Sequence, residues 1–281
     1  MSLNFPSSFD AGYFSSQAWK DRLRNWLGTM TGGFASANAK SIERMLADPK
    51  TSVRVVINIR PDAIITFLRE GRYRNIYQLP EIGAKGPDQN RLDADAKVGT
   101  GPGHYFGAAA MGGVGIRYYG EYCVVLKADF ADGNTQVFDR DSYDVLFPPL
   151  DQLSNHHIDC LKGSWDADIA SMIMLRVMPE LNHQRQIVTS GTVIELVLKD
   201  QEFIEVHLTK DIRPDDVDQV VESPETAAME ARILERQRNA LPNRMHELEW
   251  VRRRAEVVRR LERHGIRHRV VTQHGRGFQW R

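Results

Sequence analysis

Cysteine is scarce: the 281 residues contain two, Cys123 and Cys160, with no C-x-x-C spacing. That excludes a zinc ribbon, a dithiol redox motif and a disulfide scaffold, and it suits buried thiols in a reducing compartment. Net charge is missing too, since 37 Lys and Arg balance 37 Asp and Glu. No global field draws the chain to nucleic acid or to an anionic membrane, so any such binding has to come from a local patch. No apolar run approaches the ~18 to 20 residues that span a bilayer. The stretch Met1–Lys20 interleaves Ser, Asp and aromatic residues, without the basic region and continuous apolar segment of a Sec signal. The expected location is the cytoplasm, or a target or host cell reached by a route that reads no such signal. The pair His156-His157 has no further ligand at metal-site spacing, and no metal is expected.

What is present is enough apolar material, 42% of the residues, for one large domain with a helical appendage. Residues 17–47 carry Trp19, Leu23, Trp26, Leu27, Ile42, Met45 and Leu46 at helical spacing around a Gly32-Gly33 break, a helical lead-in. Val53–Ile59 (VRVVINI) is rich in β-branched residues and reads as a central strand, stopped by Pro61. A helix over Ala63–Arg69 with a Gly71 cap follows. Pro80–Gly115 is dense in Gly and Pro and reads as a long functional loop. Its Gly99–Gly103 and Met111–Gly115 clusters match neither a P-loop nor a dinucleotide fingerprint. Tyr122–Ala128, Gln136–Phe138, Thr192–Leu198 and Phe203–Leu208 read as strands, the last two joined by a turn at Lys199–Gln201, with a helical stretch over His156–Met178. The fold class is α+β with an antiparallel sheet. The division expected is a lead-in over 1–50, a core over 51–222 and a charged helical extension over 223–281 packed on the core.

Strand periodicity in Phe203–Leu208 puts Ile204, Val206 and Leu208 on one face and Phe203, Glu205 and His207 on the other. The first set is core. The second sets a carboxylate between an aromatic and an imidazole, either on a solvated face or in a partly apolar cleft. On the same two-residue period Arg54, Val56, Asn58 and Arg60 share a face, so both arginines can point into one cleft.

Four segments together carry a resemblance: Val55–Asp62 (VVINIRPD), Leu68–Asn75 (LREGRYRN), Tyr119–Lys127 (YGEYCVVLK), and Phe203–His207 (FIEVH) with Asp215, Asp216 and Val217. In this arrangement the chain resembles the diverged ADP-ribosyltransferases of bacterial toxins and effectors. The resemblance implies a split antiparallel sheet that clamps NAD, with Arg60 or Arg54 as the cofactor clamp. It implies Glu205 as the carboxylate that holds the nicotinamide ribose, and an aromatic, Tyr73, Tyr77 or Tyr105, stacked on the nicotinamide. His207 shares the glutamate's face and is a candidate base. Arginine-specific members carry a second Glu or Gln two residues before the catalytic glutamate. Here that position is Phe203, which points to a non-arginine acceptor such as a hydroxyl, thiol or nucleobase.

The activity implied is mono-ADP-ribosyl transfer from NAD to a macromolecular acceptor, most simply a protein, with a threonine of ubiquitin as one candidate. Two alternatives stand beside it. One is an NAD glycohydrolase; the other is an inactive binding module that uses the arginines of the extension on nucleic acid or an acidic protein. Those arginines run from Arg252-Arg253-Arg254 through Arg259, Arg260, Arg263, Arg267 and Arg269. Glu249, Glu256 and Glu262 are interleaved with them, and Leu248, Val251, Val258 and Leu261 form an apolar stripe, which favours a helix docked on the domain over a nucleic-acid arm.

Overall fold

The computed structural model describes residues 18–28, 33–181, 187–199, 202–239, 241–242, 244–271 and 279–280. Residues 1–17, Gly32 of the expected break, and Asp200 and Gln201 of the expected turn lie outside them. In chain order the elements are helices α1 (Trp19–Gly28), α2 (Gly33–Met45) and the single turn α3 (Pro49–Ser52), strand β1 (Arg54–Ile59), helices α4 (Pro61–Glu70) and α5 (Gln89–Val98), then strands β2 (Tyr105–Ala110), β3 (Tyr122–Leu126) and β4 (Gln136–Phe138). The second half runs α6 (Asn155–Asp159), β5 (Lys162–Ser164), α7 (Trp165–Leu181), α8 (Ser190–Val197), β6 (Glu205–Leu208), β7 (Val217–Glu222), α9 (Pro224–Arg238), α10 (Met245–Arg263) and β8 (Arg267–Val270).

One eight-stranded sheet joins the chain, in the order β5-β4-β6-β2-β1-β3-β7-β8. Every pair is antiparallel except β7 with β8. The fold is thus mixed α and β, as its composition suggests. Among the described residues the strands pair as one continuous sheet. The C-terminal segment is part of this sheet through β8, and α10 lies against α4.

The sheet's two faces differ because successive side chains alternate. On one face Val55, Ile57, Ile59, Val124, Leu126, Ile204, Val206 and Leu208 pack under the helices, among them Trp19, Ile42, Phe67, Ile173, Val193 and Leu261. On the other, Val56, Ala108, Ala110, Cys123, Val125 and Phe203 pack under Val114, Ile116 and Leu198. Further along this second face Phe138 joins Ala94 and Val98 of α5 and Val145.

Three expectations are corrected. Pro80–Gly115 is not a loop: it holds α5, capped by the Asp88 side chain on the Arg91 N–H and ended by a left-handed Gly99, and then β2. Of Thr192–Leu198, all but the extended Leu198 is helical, because Thr189 caps the Thr192 N–H and Val193, Ile194 and Val197 bury at helical spacing; tertiary burial overrides their β-branched preference. The stretch His156–Met178 is interrupted by β5.

The Gly-rich crossing over the second face is fastened by Asn58. Its amide donates to the carbonyls of Val114 and Gly120, each at 3.1 Å, and its carbonyl accepts from the Ile116 N–H at 2.7 Å. Gly120 lies so close to β1 that a Cβ there falls 2.2 Å from the Ile59 carbonyl carbon and 2.7 Å from the Arg60 nitrogen. Backbone cannot yield as a side chain does, so Gly120→Ala is expected to destabilise by roughly 1–3 kcal/mol or more. Urea denaturation checks this, and an unchanged midpoint contradicts it.

Candidate functional site

Glu205 does not lie on a sheet edge. Strand β6 runs between β2 and β4, with Glu205 opposite Ala108 on one side and Phe138 on the other. Its side chain points to the second face and is 5% exposed. A carboxylate buried there needs partners, and it has three. The Ser142 N–H donates to Oε2 at 2.7 Å, His207 Nε2 stands 3.5 Å from the same oxygen, and Arg91 Nη1 lies 3.8 Å from Oε1. Burial pushes the carboxyl's pKa up, but His207, Arg91 and the Ser142 N–H outweigh it and hold Glu205 below the usual carboxylate range.

Arg91 is the cation of the site. It projects from α5, and its guanidinium stacks 3.8 Å above the Phe106 ring and 5.3 Å from the Tyr143 ring centre. It also forms a two-point pair with Asp95 one turn on, through Nε at 2.9 Å and a second, shorter contact from Nη2. Asp95 accepts in turn from Thr100 Oγ1 at 2.7 Å and from the Tyr77 hydroxyl. Burial and this bond to Asp95 push the Tyr77 phenol up to about 12. His207 is stacked on Phe138 and meets Phe106 edge-on at 5.5 Å. The arrangement is an ionised carboxylate and a guanidinium side by side among aromatic rings.

A short 3-10 turn, Ser142–Leu146, closes over the carboxylate. Just before it stands Asp141, half-buried, with Oδ1 accepting from the Tyr143 N–H at 2.9 Å and Oδ2 from the Tyr119 hydroxyl at 3.0 Å. Burial and the nearby Glu205 charge push Asp141 up to about 6, and burial does the same for Asp144. Among the described residues no group of three His, Cys, Asp or Glu could hold a metal ion.

Of the residues expected at the site, Glu205 and His207 come together, and Tyr77 joins them through Asp95. Tyr73 and Tyr105 do not. Both rings belong to the helix-side core, with Tyr105 donating to Asp211 at 2.6 Å and Tyr73 edge-on to Phe67; odd and even positions of β2 face opposite ways, and Tyr105 falls on the wrong one. Arg54 does share the second face, but its guanidinium caps α3, donating to the carbonyls of Lys50 and Thr51, each at 2.7 Å, and of Val53. It lines a cavity of about 450 Å³ with Lys127, Asp129, Asp218, Arg267 and Trp280, a place that does not include Glu205. Arg60 occupies the N-cap position of α4, with no side-chain capping bond, at the far end of β1 and is exposed. The row of Glu205 crosses β1 at Val56, so Arg60 lies roughly 13 Å further along the strand and two strands away. Neither arginine is brought to Glu205. Arg91 takes the place beside it, and the sequence signal for it was the Arg91/Asp95 spacing of one helical turn between an Asp88 cap and Gly99.

The extension's arginines are largely engaged. Arg253 pairs with Asp62 and Glu249, Arg254 with Glu222 and Glu230, Arg259 and Arg260 with Glu256, and Arg267 with Asp218. Val257 and Leu261 bury the apolar side of α10 against the domain. Among the described residues no helix is long and apolar enough to cross a membrane.

Comparison with known proteins gives no match: no family model fits the chain, and no curated protein and no solved structure matches it significantly.

Proposed function

We propose that the chain is an NAD-dependent mono-ADP-ribosyltransferase whose catalytic carboxylate is Glu205, on a fold of the ADP-ribosyltransferase kind. The observation that carries this reading is the state of Glu205: buried at the centre of the sheet, yet held ionised by His207, Arg91 and the Ser142 N–H. Breaking the bond between nicotinamide and ribose builds positive charge on the ribose. A fixed carboxylate in a water-poor site stabilises that charge far better than one in solvent. Arg91, stacked on Phe106, offers a planar guanidinium suited to a phosphate or a pair of ribose hydroxyls, so the clamp role passes to it from Arg60 and Arg54. His207, with its ring packed between Phe138 and Phe106, serves as an orienting group for Glu205.

The reading requires the Ser142–Leu146 turn to lift when NAD enters, releasing the Ser142 N–H from Glu205. Such turns over a catalytic group commonly act as gates. The acceptor is a macromolecule, with a protein hydroxyl preferred, and ubiquitin remains one candidate. The binding-module alternative loses ground because most of the arginines it needs are already paired with carboxylates.

The test is to incubate the purified chain with NAD labelled in its adenylate half and a cell lysate. Label on protein and free nicotinamide are expected. Neither label nor nicotinamide above background removes the proposal, and nicotinamide without label turns it into the glycohydrolase.

A further inference from the structure

We infer that Asp141, positioned by Tyr119, is the base that takes the proton from an acceptor hydroxyl. The inference rests on the ADP-ribosyl transfer proposed above and names the second half of that reaction. Position 203, two residues before Glu205 on the same face, is filled by a Phe that is 3% exposed and meets the Tyr119 ring edge-on at 6.4 Å. Strand β6 therefore offers no second carboxylate to an acceptor. Another element supplies one.

The backbone places it. With the turn closed, Ser142 donates its N–H to Glu205 at 2.7 Å; Asp141 is the residue immediately before the turn and is tied to Tyr119 outside it, so it stays close to Glu205 when Ser142 lets go. The Asp141 carboxylate has one oxygen on the Tyr143 N–H and the other on the Tyr119 hydroxyl. Tyr119 is 42% exposed and Tyr118, beside it, 77%. Asp141 thus lies near enough to Glu205 to feel its charge and is bonded to a tyrosine that is partly exposed, on the side where a macromolecular acceptor has to arrive. The other acids nearby suit the role less well: Asp139 is buried and paired with Arg140 at 3.0 Å, and Asp144 lies a turn further on.

The step balances. The acceptor oxygen bonds to C1′ of the nicotinamide ribose while the C1′–N bond breaks, its electron pair neutralising the nicotinamide ring. The acceptor's proton passes to the Asp141 carboxylate and then to solvent beside Tyr119. Glu205 stays ionised throughout.

Groups facing Asp141 are Glu205 from β6, Tyr119 from the turn before β3, and Tyr143 and Asp144 from its own turn, with Arg91 of α5 against Tyr143 and the Asp139/Arg140 pair just before it. Burial and Glu205 push its pKa up to about 6, which keeps the base mostly ionised at neutral pH with a useful proton affinity. Its charged form does the work, so transfer should rise with pH through about 6 and level off above.

The experiment compares wild type, Asp141→Asn and Tyr119→Phe in the full chain, reading label transfer, nicotinamide release and melting temperature with and without NAD from pH 5 to 8. Asp141→Asn is expected to lose roughly a hundredfold or more in transfer, with the thermal shift by NAD retained. Tyr119→Phe removes a hydrogen bond that favours the ionised form, so the rising limb should move to higher pH. A purely structural role for either residue would not move that limb. Transfer by Asp141→Asn at the wild-type rate, or a limb unmoved in Tyr119→Phe, overturns the inference and leaves the transferase reading standing. A wild-type chain that releases no nicotinamide overturns both.

Discussion

Exchanging Glu205 for glutamine is expected to leave the sheet assembled and to lower NAD turnover by about two to three orders of magnitude. The amide keeps an acceptor for the Ser142 N–H and nearly the same shape, so the fold should suffer modestly. What it removes is the negative charge facing Arg91 and His207. Arg91 keeps its two-point pair with Asp95, so it is not stranded as a buried, unpaired cation. The expected stability loss is roughly 1–3 kcal/mol, and circular dichroism with a urea titration separates it from the catalytic loss. Turnover reduced less than about tenfold in a folded variant would mean that Glu205 is a structural carboxylate.

The largest stability effect is expected elsewhere, at Arg254. This side chain of α10 reaches back to β7 and grips Glu222 with two bonds of 2.7 Å, while its remaining nitrogen meets Glu230; His268 approaches Glu222 at 3.1 Å. Glu222 has no exposed surface. Arg254→Ala leaves that carboxylate buried with its main partner gone, a change that costs about 3–5 kcal/mol. For a chain of this size that corresponds to a fall of roughly 10 °C in melting temperature. The double variant Arg254→Met with Glu222→Leu should recover most of it, since an apolar pair avoids desolvating either charge.

The same hub sets a pH dependence. Burial works to raise the Glu222 pKa, but His268 and Arg254 outweigh it and lower it. A carboxylate whose folded pKa lies below its unfolded one contributes stability that is complete above the unfolded value and is lost as pH falls through the folded one. Acid should therefore loosen α10 and β8, and Arg254→Ala should weaken that acid dependence.

How much of this could be read from the sequence depended on whether a feature was local. Strands β1 and β3 are runs of β-branched residues, and the alternation that put Glu205 and His207 opposite Ile204 and Val206 was correct because it needs only the pleat. Strand β2 was hidden by Gly107 and three alanines. A Cβ at Gly107 would meet Val56 O and Val55 Cγ1 at 2.9 Å, so small residues there reflect close strand packing, a fact of the partner strand. Helix α5 showed its Asp88 and Gly99 caps, but its polar composition in a Gly-rich neighbourhood masked them.

The site divides in the same way. Arg54 does share the face of Val56 and Asn58, as the period requires, while Arg60 falls just past the end of β1, and sharing a face does not fix which row across the sheet a residue occupies. That row is set by the register of β1 on β2 and of β2 on β6, which no local pattern encodes. Arg91 and Glu205 are 114 positions apart, and Asp141 comes from a third segment. Their meeting is a product of topology alone.

The most direct measurement is a crystal structure of the chain with a non-hydrolysable NAD analogue. Placement of the nicotinamide ribose within hydrogen-bonding distance of Glu205, with Arg91 on the ligand and the Ser142–Leu146 turn lifted, is the expected result. An analogue seated instead in the cavity lined by Arg54, Lys127 and Arg267, with Glu205 still sealed beneath Ser142, would contradict it.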